Sequence, residues 1–227
     1  MNLKSQMEMP AQSMTRALLD AYYKTKKEET PSQLNEKLGE IFTSKDNFIK
    51  KIKALDSNTG EFKIPDDIGE LIFDILLYNF FSEDSQRLGE SFFESKEWEQ
   101  IEDVIIDRGT ELMNILLYLQ ECKDSGIQFS IDDYLDEYLI GEDDFDNDEH
   151  EVYEAIIKNR DTILEGDLKT MVEISKNNSS SLLNDQLLPI LLFFETKSSL
   201  EKKQETLASA GSNPAFQSAF LATLNAF

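Results

Sequence analysis

Trp98, Ile101, Ile105, Arg108, Leu112, Ile115, Leu119 and Cys122 follow one another at intervals of three and four residues. A helix with 3.6 residues per turn places such positions on one stripe, whereas a strand scatters them over both faces. The chain is therefore committed to packing at least one long helix against other elements. The spacing predicts a continuous helix from about Lys96 to Asp124, with Gly126 as its stop. Ile106, Met113, Leu116 and Leu117 widen the stripe beyond a two-stranded seam, which favours the central helix of a bundle. Arg108 stands where the seam wants an apolar side chain, so its guanidinium must meet a carboxylate or reach the bundle edge.

The rest of the chain repeats the message. Ile68, Leu71, Ile72, Ile75, Leu76 and Phe80 form a broad apolar face on a predicted core helix over 66–81. Helix-start signals recur. Thr30-Pro31-Ser32-Gln33 reads as a capping box with Pro at the first helical position, Ser44 and Ser82 as caps, Ser130 to Asp133 as a second box, Asp167 as a cap, and Asn213-Pro214 as the start of a C-terminal helix. Pro189 is a candidate kink in the apolar run Leu187 to Phe194. Asp56 to Gly60 reads as a turn, followed by a short extended segment over 61–64. Glu70 to Tyr78 resembles Glu111 to Tyr118, but only with a one-residue slip and without a third copy, as chance similarity between Leu/Ile helices produces. The predicted fold class is all-α, a multi-helix bundle or irregular array of roughly nine to eleven helices. The expected organisation is one domain over 1–227, with an N-terminal helical subdomain over 1–55 as a further subdivision.

Charge divides the chain differently. Residues 1–55 carry 10 Lys/Arg against 7 Asp/Glu, residues 56–165 carry 7 against 32, and residues 166–227 carry 5 against 6. The net charge of −23 thus resides in the middle. Such a field repels phosphate backbones and anionic lipid, so nucleic-acid and membrane-surface binding are disfavoured and a basic protein partner is favoured. The start MNLKSQMEMPAQSM lacks the apolar stretch of a secretory signal, and the run Leu187 to Phe194 is far short of the roughly 20 residues that span a bilayer. Cys122 is the single cysteine, which rules out an internal disulfide and suits a reducing compartment. A cytoplasmic protein is expected.

Few catalytic constellations fit these residues. His150 is the only histidine, so neither a di-iron bundle nor a multi-histidine zinc site can be built, and no phosphate-cradling or dinucleotide-binding glycine motif is present. No cofactor is expected. Cys122 continues the apolar stripe, where a free cysteine usually behaves as a small buried hydrophobe. Asp144, Asp146 and Asp148 occupy positions 1, 3 and 5 of a calcium-loop frame, making them weak metal candidates. That frame then fails, because Glu149 replaces the turn glycine and Ala155 the closing bidentate glutamate.

Two surfaces remain as candidates for binding. The carboxylates Asp132, Asp133, Asp136, Glu137, Glu142 and Asp143 suit a basic partner, although a solubilising surface is the plainer reading. Thr206 to Phe227 holds no charged side chain, and Phe216, Phe220, Leu224 and Phe227 share one helix face that suits docking on the chain's own core or a homodimer contact. The sequence therefore favours a non-enzymatic interaction or scaffold protein with an acidic helical surface, self-associating through its C-terminal helix. An acidic antagonist of a basic protein is the alternative, and an enzyme of unrecognised type is third.

Overall fold

The computed structural model describes residues 10–84, 90–134, 158–177, 183 and 185–227. Thirteen helices and no strands are found among them. In chain order these are α1 (Pro10–Lys26), α2 (Ser32–Thr43), α3 (Phe48–Glu61), α4 (Asp66–Asp84), α5 (Glu90–Phe93), α6 (Lys96–Ile105), α7 (Glu111–Ser125), α8 (Ile131–Tyr134), α9 (Arg160–Glu165), α10 (Leu168–Asn177), α11 (Leu187–Phe194), α12 (Leu200–Ala210) and α13 (Pro214–Asn225). The count exceeds the sequence estimate in part because the stretch expected as one helix over 96–124 is divided into α6 and α7.

The first and last of the described helices meet at the centre. α13 packs along α1 and is surrounded by α11, α12, α4 and α7. Ten of its twelve residues are buried, which explains a helix without charge: it has no face left for water. Asn213 caps it by accepting from the Phe216 N–H, and Pro214 occupies the first turn. Gly211 makes the preceding turn feasible, since a Cβ there would lie 2.1 Å from the Gln217 Oε1. α4 is likewise enclosed, with Ile68, Leu71, Ile72, Phe73, Ile75 and Leu76 all at most 1% exposed.

The expected long helix is two helices. α6 ends at Ile105 and α7 begins at Glu111, because Gly109 adopts φ +105° and Thr110 caps α7 through its hydroxyl oxygen, which accepts from the Leu112 N–H. Most of the stripe nevertheless faces inward: Ile101, Leu112, Ile115, Leu119 and Cys122 are buried, while Ile106, past the end of α6, is 73% exposed. Gly126 ends α7 in the left-handed region.

The turn over 56–60 and the extended segment over 61–64 are also corrected. α3 continues to Glu61 because its turn-forming residues are satisfied within the helix, Asn58 donating to the Ala54 carbonyl and Thr59 to that of Asp56. It stops in a Schellman motif, with Lys63 at φ +53° and the Ile64 N–H returning to the Thr59 carbonyl. Thr30 does not cap α2; its hydroxyl donates to Asp20, and Pro31 takes the cap position. Asn47, not Ser44, caps α3. Ser82 lies inside α4, its hydroxyl donating to the Asn79 carbonyl. Pro189 falls in the first turn of α11, where its missing N–H breaks no helical bond, so no kink is needed.

Candidate functional site

Glu70 and Asp74 stand one turn apart on α4 and both reach the break between α6 and α7. Arg108 donates to the Glu70 carboxylate from Nε (3.1 Å) and Nη2 (2.9 Å) and to Asp56 from Nη1 (3.2 Å). Its guanidinium lies 4.0 Å from the Phe73 ring centroid. Burial opposes this charge, but the hydrogen bonds and charges of Glu70 and Asp56 outweigh it and raise the Arg108 pKa. The sequence requirement that Arg108 find a carboxylate is met twice. Asp74 is fully buried and accepts from the Thr110 N–H (3.0 Å) and hydroxyl (2.5 Å). Gly109 permits this approach, since a Cβ there would come within 3.2 Å of the Asp74 Oδ1. Burial drives the Asp74 pKa well above the usual carboxylate range, although the Thr110 hydrogen bonds pull the other way. Without exposure Asp74 cannot meet a substrate. The cluster clamps a helix break.

Several other polar groups of the interior are similarly engaged, whereas the buried Gln217 Oε1 has no hydrogen-bond partner among the described residues. The Tyr78 hydroxyl donates to Gln120 (2.7 Å), and that of Tyr118 accepts from the Ser130 N–H (2.9 Å) and donates to the Ser130 carbonyl (3.0 Å). Buried Glu195 accepts from the N–H groups of Lys197 and Ser198, while Lys203 donates to the Glu195 carbonyl oxygen. Burial lowers the Lys203 pKa against the pull of Glu195. The adjoining cavity, bordered by Ile163, Met171, Phe194 and Glu195, has about 50 Å³, far below the roughly 300 Å³ of a small-molecule pocket. A depression of about 510 Å³ beside α9 is open to solvent and lined by Asp161, Thr162, Leu164, Glu165, Gly166 and Thr170.

The sequence candidates are dispersed. Asp132 pairs with Arg160 across α8 and α9 (2.7 Å to Nε), and the Asp133 N–H is held by the Ser130 side chain, so this box forms in part. Asp136, Glu137, Glu142, Asp143, Asp144, Asp146, Asp148 and His150 lie outside the described residues. Among the described residues no three His, Cys, Asp or Glu side chains gather as a metal site requires, and no helix is long and apolar enough to cross a membrane. Phe216, Phe220 and Leu224 are buried against the chain itself. In this arrangement they have no surface to offer a second copy. Phe227 is half-buried between the Tyr78 ring (5.7 Å) and the Lys123 ammonium (5.1 Å).

A different surface stands out on α5 and α6. A run of six rings leads from the core outward: Phe48 stacks on Phe80 (4.5 Å), Phe80 meets Phe81 and Phe92, and Trp98 meets Phe81, Phe92 and Phe93. Phe93 ends the run 45% exposed. On α6 and just beyond its two ends, Glu94, Glu97, Glu99, Glu102, Asp103 and Asp107 are all exposed, and none forms an ion pair with a described residue. Lys96 is the one basic residue over 94–107.

Comparison with protein-family models, with curated proteins and with solved structures gave no match. The surface must therefore be read from its own chemistry. The spacing of the inward stripe, to which Trp98 belongs, does not reveal this surface, and the doublets Phe80-Phe81 and Phe92-Phe93 carry no weight in that pattern. Those doublets were the available signal, since adjacent helical positions point about 100° apart and two neighbouring Phe side chains cannot share a narrow buried stripe.

Proposed function

We propose that this chain is a non-enzymatic interaction or scaffold protein that presents an acidic helical surface to a basic protein partner. The observation that supports it is the set of exposed carboxylates on α6 and its flanks, unpaired among the described residues, beside rings that are only partly withdrawn from water. Dense carboxylates raise the local concentration of cationic partners and speed productive encounter, while repelling nucleic acid and anionic lipid. The groups with catalytic potential favour the same reading, because Asp74, Tyr78, Arg108 and Tyr118 are all committed to hydrogen bonds within the chain. We place this activity in the cytoplasm, whose reducing conditions suit a single buried cysteine.

Affinity capture with two baits tests the reading: the native chain and a variant carrying Glu97→Gln, Glu99→Gln, Glu102→Gln and Asp103→Asn. A basic protein retained by the native bait at about 0.15 M salt and lost from the variant is the expected result. If quantitative mass spectrometry finds the same proteins on both baits, the acidic surface of α6 is not the working surface.

A further inference from the structure

Resting on that reading, we propose that the outer end of the aromatic run, Phe93 against Trp98, is the seat for a bulky apolar side chain carried on a basic amphipathic segment of the partner. The geometry of the rings comes first. Phe93 meets Trp98 edge-on at 4.9 Å and 76°, and Trp98 rests in turn on Phe81 and Phe92. Phe93 is thus supported from below and open above. Partly exposed aromatics backed by a packed layer are the type of residue that dominates binding at interfaces, since covering them removes water from a surface that is already ordered.

The charges decide what covers it. Trp98, Ile101 and Ile105 form the inward stripe of α6, and helical spacing sets Glu97 on one flank of that stripe and Glu102 and Glu99 on the other. Lys96 falls on the opposite face, so it does not shield the seat. A second copy of this chain would bring the same rings but also the same carboxylates, and a two-fold contact would set like charge against like. Anionic lipid and nucleic acid meet the same repulsion. A segment with an apolar knob at its centre and Lys or Arg beside it satisfies both parts of the surface, the knob on Phe93 and Trp98 and the cations at Glu97, Glu99 and Glu102.

Trp98 is the only tryptophan, so its fluorescence reports on this seat alone. The full chain is titrated with two synthetic peptides of equal positive charge, an amphipathic Lys/Leu sequence and a Lys/Ser sequence. The Lys/Leu peptide is expected to change the Trp98 emission and to bind at least about tenfold more tightly than the Lys/Ser peptide, and Phe93→Ala is expected to remove that advantage. Glu97→Gln with Glu99→Gln and Glu102→Gln should weaken both peptides. Equal binding of the two peptides, unchanged by Phe93→Ala, overturns the aromatic seat while leaving the acidic surface standing. Failure of both peptides to bind overturns both readings. Two controls guard the seat itself. A melting temperature lowered as far by Phe93→Ala as by a core substitution means that the chain covers this ring itself, and a dimer in sedimentation that Phe93→Ala dissolves means that a second copy is the occupant. Either result rejects the proposal.

Discussion

α13 and α6 are helices of similar length with apolar residues at helical spacing, yet they end in opposite environments. Phe220 of α13 is fully buried, with neighbours from α1, α4, α7, α11 and α12 around its helix. Trp98 of α6 is half-buried, and α6 packs mainly on α3 and α5, leaving Ile101 as its one fully buried residue. The difference lies in what flanks the apolar positions. α13 carries Ala, Ser, Gln and Thr between its large residues, so neighbouring helices close over every side. α6 carries Glu97, Glu99, Glu102 and Asp103, whose desolvation no partner among the described residues offsets, so one side stays wet. Apolar spacing thus tells which face packs, and the residues between tell how deeply.

Phe220→Ala tests the deep end of that comparison and carries the largest expected effect. The cavity left among well-packed neighbours should cost about 3 to 5 kcal/mol, measured by urea unfolding. A loss below about 1 kcal/mol would mean that α13 is not the closed centre described above.

Asp74→Asn sharpens the contrast between buried and exposed carboxylates. The folded pKa of Asp74 lies above its unfolded value, so the folded chain holds its proton more tightly. Its contribution is therefore fully present below the unfolded pKa of about 3.9 and is lost as pH rises through the raised folded value. Relative to the Asn variant, the native chain should lose up to about 1.4 kcal/mol per pH unit across that window. Parallel stability curves for the two proteins between about pH 4 and pH 7 would show that Asp74 is not penalised by burial.

The smallest effect belongs to Phe93→Ala. Half in water and supported from one side, the ring should contribute within about 0.5 kcal/mol to stability while mattering to binding. If urea unfolding gives a loss close to that of Phe220→Ala, the two regions are not different in kind.

Much of the helical content could be read directly, because caps and stops act within a few residues. Asn213-Pro214, Asp167 and Gly126 work as their chemistry suggests. The inward stripe from Ile101 to Cys122 was legible too, although its two halves belong to different helices. The helix break at Gly109 and the Thr110 cap is local and was masked by the unbroken apolar spacing across it, whereas the grip of Asp74, 36 residues earlier in the chain, on Thr110 could not be read from sequence. Likewise the Asp56 to Gly60 stretch holds good turn formers, and only the surrounding helix shows that their side chains satisfy its carbonyls instead.

By itself, then, the sequence determined an all-α fold, the helical face of each main segment, the acidic middle and the need of Arg108 for carboxylates. All of these follow from periodicity, local hydrogen bonding or charge counted along the chain. The tertiary structure decided that Glu70 and Asp56 meet that need, that the uncharged C-terminal helix is the centre of the fold, and that the aromatic run surfaces at Phe93 beside the carboxylates of α6. These are long-range choices, set by which helices are left to close over a given face, and local patterns such as the Phe doublets hint at them without deciding them.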